Sequence, residues 1–135
     1  MEEKWIRWEP IPNLAEKYYV ESIIDNTDGL KILLSNNNNS EERVLVSFPD
    51  TLRSYRTTCE SFLVRTIEDL EENYGSKFYG EWTFFKVRNS KYLDWLKNES
   101  EGISEDYLMK HFCLLTIDAM IDIATGSEPT VEHLK

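Results

Sequence analysis

The chain has 135 residues, of which 41% are hydrophobic and 13% aromatic, and its 25 acidic side chains outweigh 15 basic ones for a formal net charge of −10. That length matches one domain of roughly 100–150 residues, and the apolar content excludes global disorder, so a single folded domain over residues 1–135 is expected. The charge repels phosphate backbones and anionic lipid, and the longest apolar stretches, such as Phe112 to Leu115, fall far short of the roughly 18 residues of a membrane span. No basic-then-apolar signal segment opens the chain. These features predict a cytoplasmic protein that engages neither nucleic acid nor membrane.

In chain order, Lys17 to Ile24 is rich in Tyr, Val and Ile and predicts a strand. Asp28-Gly29 is a hairpin-turn dipeptide leading into a second strand, Leu30 to Leu34. The polar run Asn36 to Asn39 predicts a loop, and Arg43 to Phe48 a third strand, so an antiparallel meander is expected. Pro49 ends that strand. Residues 52–56 are expected to connect to a capping box at Thr57 and Glu60 that starts a helix. Cys59, Phe62, Leu63, Ile67, Leu70 and Tyr74 recur on one face of that helix, and Gly75 supplies a left-handed stop.

Beyond it, Glu81 to Val87 predicts an aromatic strand, and Asn89 or Ser90 a cap for a short helix carrying Tyr92, Leu93 and Leu96 inward. Ile103 to Met109 predicts a helical turn. Lys110 to Ile117 and Met120 to Ala124 predict a hairpin through Asp118-Ala119, and the chain after Gly126 an irregular tail. The order lacks the strand–helix alternation of a parallel sheet. The expected class is therefore α+β: a mainly antiparallel sheet of about six strands packed by one long and one or two short helices.

Cys59 and Cys113 are too few for a disulfide framework and lie in no metal-binding spacing, so both are expected to be buried thiols. Of the two histidines, His133 lies near the end of the sequence. His111 alternates with Cys113 and Leu115 and could join a Cys–His pair only with Cys59, a weaker prediction than a satisfied or surface histidine. Asp25 to Gly29 opens like a calcium loop, but Ser35 stands where the closing glutamate belongs. The five glycines form neither a phosphate-binding loop nor a dinucleotide fingerprint. No metal, no cofactor and no catalytic residue is expected, and paired carboxylates, though plentiful, single out no acid–base pair.

One local rule is broken. Glu68, Asp69, Glu71 and Glu72 crowd the C-terminal half of the main helix with only Arg65 one turn earlier. Carboxylates there oppose the helix dipole by a few tenths to about 1 kcal/mol each when exposed. Aromatic Tyr74, Phe78, Tyr79 and Trp82 follow directly, interleaved with Gly75 and Gly80. Acid beside aromatic suits docking on a basic protein, with charge speeding encounter and rings filling pockets. Glu68, Asp69, Glu71, Glu72, Tyr74, Tyr79 and Trp82 are therefore the candidate partner-binding residues, against the plainer alternative of a solvated face followed by core aromatics. A second acidic excess spans residues 93–135, where nine Asp or Glu face three Lys for a net of −6. Tyr55-Arg56 is a further candidate recognition pair, with an Arg56–Glu60 salt bridge as the simpler account.

Several segments together resemble the small acidic immunity proteins that accompany secreted polymorphic toxins of Gram-positive bacteria. The resemblance rests on Trp8-Glu9-Pro10-Ile11, Asp28-Gly29-Leu30, Phe48 followed by Tyr55-Arg56, Thr58 and Glu60, and the ending Thr116 to Ile123 with Glu128-Pro129. It implies a non-catalytic inhibitor that blocks a cognate toxin by direct contact. Many such toxins are nucleases, whose basic face a protein of charge −10 would complement. The alternatives are a regulatory or scaffold interaction domain, or a small-molecule-binding domain.

Overall fold

In the computed structural model, residues 2–49, 52–103 and 108–134 are described, save the side chains of Leu52 and Arg53. The described elements are β1 (Lys4–Arg7), β2 (Tyr18–Asn26), β3 (Gly29–Asn36), β4 (Asn39–Phe48), β5 (Leu52–Cys59), a 3-10 turn (Glu60–Phe62), α1 (Val64–Tyr74), α2 (Ser76–Gly80), β6 (Phe84–Arg88), α3 (Lys91–Glu99), β7 (Lys110–Leu115), β8 (Ala119–Thr125) and β9 (Thr130–Leu134). They build two antiparallel sheets, one of five strands in the order β1-β6-β7-β8-β5 and one of four in the order β2-β3-β4-β9.

Strand period decides where the two sheets meet. Leu30, Ile32 and Leu34 of β3 and Val44, Val46 and Phe48 of β4 point to one side of the four-stranded sheet, as period-2 alternation requires. They pack on Phe84, Phe112, Leu114, Ile121 and Ile123 from the five-stranded sheet. The intervening positions of that sheet, Phe85, Val87, Cys113, Leu115 and Met120, form a second core with Trp5 and Leu70 under α1. The five-stranded sheet is thus the middle of three layers. Both faces of β7 are covered, and His111 to Thr116 are buried without interruption.

The meander β2-β3-β4 and the hairpin β7-β8 are where the sequence places them, and Ser90 caps α3 by accepting the Leu93 amide at 3.1 Å. The strand count among the described residues is higher than expected, nine in two sheets instead of about six in one. β1 pairs with β6 from Trp5↔Val87 to Arg7↔Phe85, and β9 pairs with β4 through Val131↔Val46, so the expected irregular tail after Gly126 is a sheet edge. The expected capping box is also corrected. Residues 52–59 form β5 on β8, with Cys59 opposite Ala119, and α1 begins only at Val64 with no side-chain cap. Cys59 and Phe62 consequently miss the helix face, and Cys59 is exposed while Cys113 is buried. The turn expected at Ile103 to Met109 lies largely outside the described residues.

At the β2–β3 turn, Asn26 Oδ1 accepts the Asp28 amide at 2.9 Å, and Gly29 follows at φ +109°. A Cβ at Gly29 would stand 2.2 Å from the Phe48 carbonyl oxygen. Both the left-handed backbone and the β3–β4 approach therefore demand glycine. Gly29→Ala is expected to destabilise the protein by more than about 2 kcal/mol, since the left-handed conformation alone costs roughly 1–2 kcal/mol. Urea unfolding followed by circular dichroism reads this as a lower midpoint at unchanged slope.

Candidate functional site

On the helix-covered face of the five-stranded sheet, one cross-strand row carries a buried carboxylate. β7 and β8 place Cys113 opposite Asp122, and β8 and β5 place Asp122 opposite Arg56. Asp122 is 1% exposed. A carboxylate at that depth is unstable unless paired, and two partners satisfy it. His111 Nε2 lies 2.7 Å from Oδ1, and Arg56 Nε donates to Oδ2 at 2.9 Å. Burial alone would raise the Asp122 carboxyl, but the hydrogen bond and charge of His111, then those of Arg56, outweigh it and hold the group below its ordinary range.

Each partner is itself held. His111 is 5% exposed, and its Nδ1 lies 2.7 Å from Ser90 Oγ, the oxygen that caps α3. In the neutral ring Nδ1 accepts the Ser90 proton, and in the imidazolium it donates to Oγ, so both ring nitrogens are satisfied in either form. The Arg56 guanidinium carbon stands 4.4 Å from the centroid of the Tyr92 ring. Tyr92 packs its edge against His111 at 5.3 Å, and its hydroxyl shares a hydrogen bond with Ser54. Helix α3 is thereby riveted to β5, β7 and β8 through a single chain of polar contacts.

Above this row lies a cleft of about 870 Å³. α1 contributes Arg65, Thr66, Asp69, Asn73 and Tyr74, and α3 contributes Lys91 and Tyr92. Trp5, Met120, His111, Asp122 and Arg56 line it from the sheet. Glu2, Glu3 and Lys4 also line it. Glu3 is engaged, accepting the Lys91 amide at 2.8 Å. A smaller concavity of about 210 Å³ adjoins on the other side of Arg56, lined by Ser54, Tyr55, Tyr92 and Trp95. The described residues contain no group of three His, Cys, Asp or Glu able to hold a metal ion, and no helix long and apolar enough to cross a membrane.

The predicted partner-binding residues separate into two sets. Glu68, Asp69, Glu71 and Glu72 are exposed on α1 and form no ion pair among the described residues. Asp69 lines the cleft, whereas Glu68, Glu71 and Glu72 do not. The aromatics are committed to packing. The Tyr74 hydroxyl accepts the Trp5 amide at 2.9 Å while its ring stacks on Phe78 at 4.3 Å. Tyr79 packs on the second core, and Trp82 touches both cores and donates to the Trp8 carbonyl at 3.0 Å. The acids of residues 93–135 are partly consumed as well. Asp122 is paired, Glu128 bridges Lys86 and Lys110, and Asp118 accepts the Thr116 hydroxyl.

Sequence reasoning missed the Ser90–His111–Asp122–Arg56 chain. Arg56 reaches Asp122, 66 residues away, and not Glu60. The available signal was Asp122 itself, a carboxylate inside the apolar strand Met120 to Ala124, where only a paired charge is stable. Compared with protein families, with characterised proteins and with solved structures, the chain shows no match.

Because its folded value is depressed, Asp122 contributes stability that is present above its ordinary value of 3.8 and lost as pH falls through the lower folded value. Asp122→Asn is expected to flatten stability across that acid limb. Asp122→Ala, which strands His111 and Arg56, is expected to cost about 3–5 kcal/mol at neutral pH. Urea midpoints measured from pH 7 down to pH 3 check both; a wild-type acid limb retained in Asp122→Asn would assign the loss to other carboxylates.

Proposed function

We propose that this chain is a binding protein of the immunity class, which neutralises a basic toxin domain, a nuclease by its chemistry, through the acidic surface of α1. The observation that carries this reading is the exposure of Glu68, Asp69, Glu71 and Glu72 on one helix with no cationic partner among the described residues. The last turn of α1 contains no basic residue, so these carboxylates oppose the helix dipole and gain nothing locally. A row of unneutralised charge that costs its own helix stability is explained by an external cation. The sequence resemblance to immunity proteins and the net charge of −10 point the same way.

On this reading Asp69 and Tyr74 lie at the rim where the α1 surface meets the cleft, and a basic loop of the partner crosses that rim. Tyr79 anchors α2 on the second core, and Trp82, just beyond α2, packs on both cores. Of the alternatives, small-molecule binding draws on the 870 Å³ cleft, whose lining mixes charged groups with Trp5, Tyr74 and Tyr92. A regulatory or scaffold domain would use the same acidic face on a different basic protein.

Replacing Glu68, Asp69, Glu71 and Glu72 together by Lys is expected to slow association with the toxin domain at least about tenfold at low salt, with a smaller effect on dissociation. Because all four side chains are exposed, unfolding temperature should hold or rise. Surface-plasmon resonance against a toxin domain encoded beside this gene, paired with a growth-rescue assay, provides the readout. An association rate equal to wild type at low salt would sink the role of α1.

A further inference from the structure

The geometry points to Arg56 as the receptor for a small planar carboxylate ligand, bound where the cleft and the smaller concavity meet. This site is separate from the α1 surface and does not depend on it. A guanidinium has five N–H donors in a rigid plane. Here Nε–H is spent on Asp122, and the four N–H bonds of the two terminal nitrogens meet no acceptor among the described residues. The Arg56 side chain is 52% exposed, although its anchor Asp122 is buried. An exposed arginine ordinarily loses considerable rotamer freedom on binding a ligand. Arg56 has already lost it, because Asp122 fixes one edge, Tyr92 fixes the face, and His111, Ser90 and Ser54 fix those two in turn.

The chemical class follows from charge and shape. Asp122 formally neutralises Arg56, and the other charges of the cleft are Lys4, Arg65 and Lys91 against Glu2, Glu3 and Asp69, three of each sign. No net positive field is left for a dianion, whereas a free guanidinium fork matches the two oxygens of a carboxylate. The flat surroundings select a flat ligand. Tyr92 and Trp95 lie nearly parallel, 8° apart with centroids separated by 6.0 Å, and Trp95 is 51% exposed beside the concavity of about 210 Å³. That volume accommodates one aromatic ring or a comparable planar group, with its carboxylate on Arg56 and its face toward the indole.

Two-dimensional proton–nitrogen NMR of the intact protein provides the test, with benzoate as probe and the Arg56 Nε–H and Trp95 indole N–H signals as reporters. Benzoate is expected to move both signals saturably in the millimolar range, and inorganic phosphate to bind at least about fivefold more weakly. Arg56→Lys keeps the charge opposite Asp122 but removes the fork, and should weaken benzoate at least about tenfold. Trp95→Ala changes a half-exposed side chain and should weaken it about threefold or more through lost stacking. An N-acetylated, C-amidated Glu tripeptide separates the sources: binding as tight as benzoate assigns a protein-borne carboxylate in place of a small molecule and overturns the small-ligand assignment. The receptor itself is refuted by linear shifts that never saturate, by phosphate binding more tightly than benzoate, or by wild-type affinity in both variants.

Discussion

The burial of the β7–β8 hairpin on both faces is the constraint on which the rest of the structure depends. One face of these strands closes the sandwich against β3 and β4, and the other receives α1 and α3. A strand covered on both sides cannot shed a polar side chain into water. Every polar group on it must be satisfied within the fold, or its desolvation is uncompensated. His111 and Asp122 lie on that hairpin, so the arrangement of Ser90, Tyr92 and Arg56 around them follows from where the hairpin is placed.

This requirement links stability to the surface. Asp122 needs a cation, and β5 brings Arg56 opposite to it in the register that also pairs Tyr55 with Ile123 and Thr57 with Ile121. The buried carboxylate thereby specifies the β5–β8 register, because a slip of one residue would turn Arg56 to the other face and leave Asp122 with only His111. The same pairing holds a guanidinium rigidly at the floor of a cleft. Fold specificity and a preformed donor array are two consequences of one ion pair.

The two proposed surfaces differ in physical character. On α1, Glu68, Glu71 and Glu72 are exposed charges, suited to long-range attraction that salt screens over about 10 Å. Around Arg56, the groups are held by buried partners and act only at contact distance. Asp69 lies between the two, on α1 and on the cleft wall. A protein partner steered by the acidic helix would therefore arrive beside the cleft.

Much of the core was legible because local pattern and tertiary burial agree there. The alternation in Leu30 to Leu34 and Arg43 to Phe48, the Asp28-Gly29 turn, the Ser90 cap and the β7–β8 hairpin each carry their signal within a few residues. So does the acidity of α1, since exposure of charge is the default. β1, β5 and β9 were hidden for the opposite reason. Their sequences, such as Leu52 to Cys59 with its Ser, Arg and Thr, are strands by pairing along sheet edges, and the Thr57–Glu60 spacing imitates a helix start that this pairing overrides. The Arg56–Asp122–His111–Ser90 chain draws on residues as much as 66 positions apart, and no local periodicity encodes such a distance. Composition and short-range pattern determined an acidic, antiparallel, helix-packed domain; which strands lie at the edges, and which polar groups meet beneath the helices, was decided by burial of the middle sheet on both its faces.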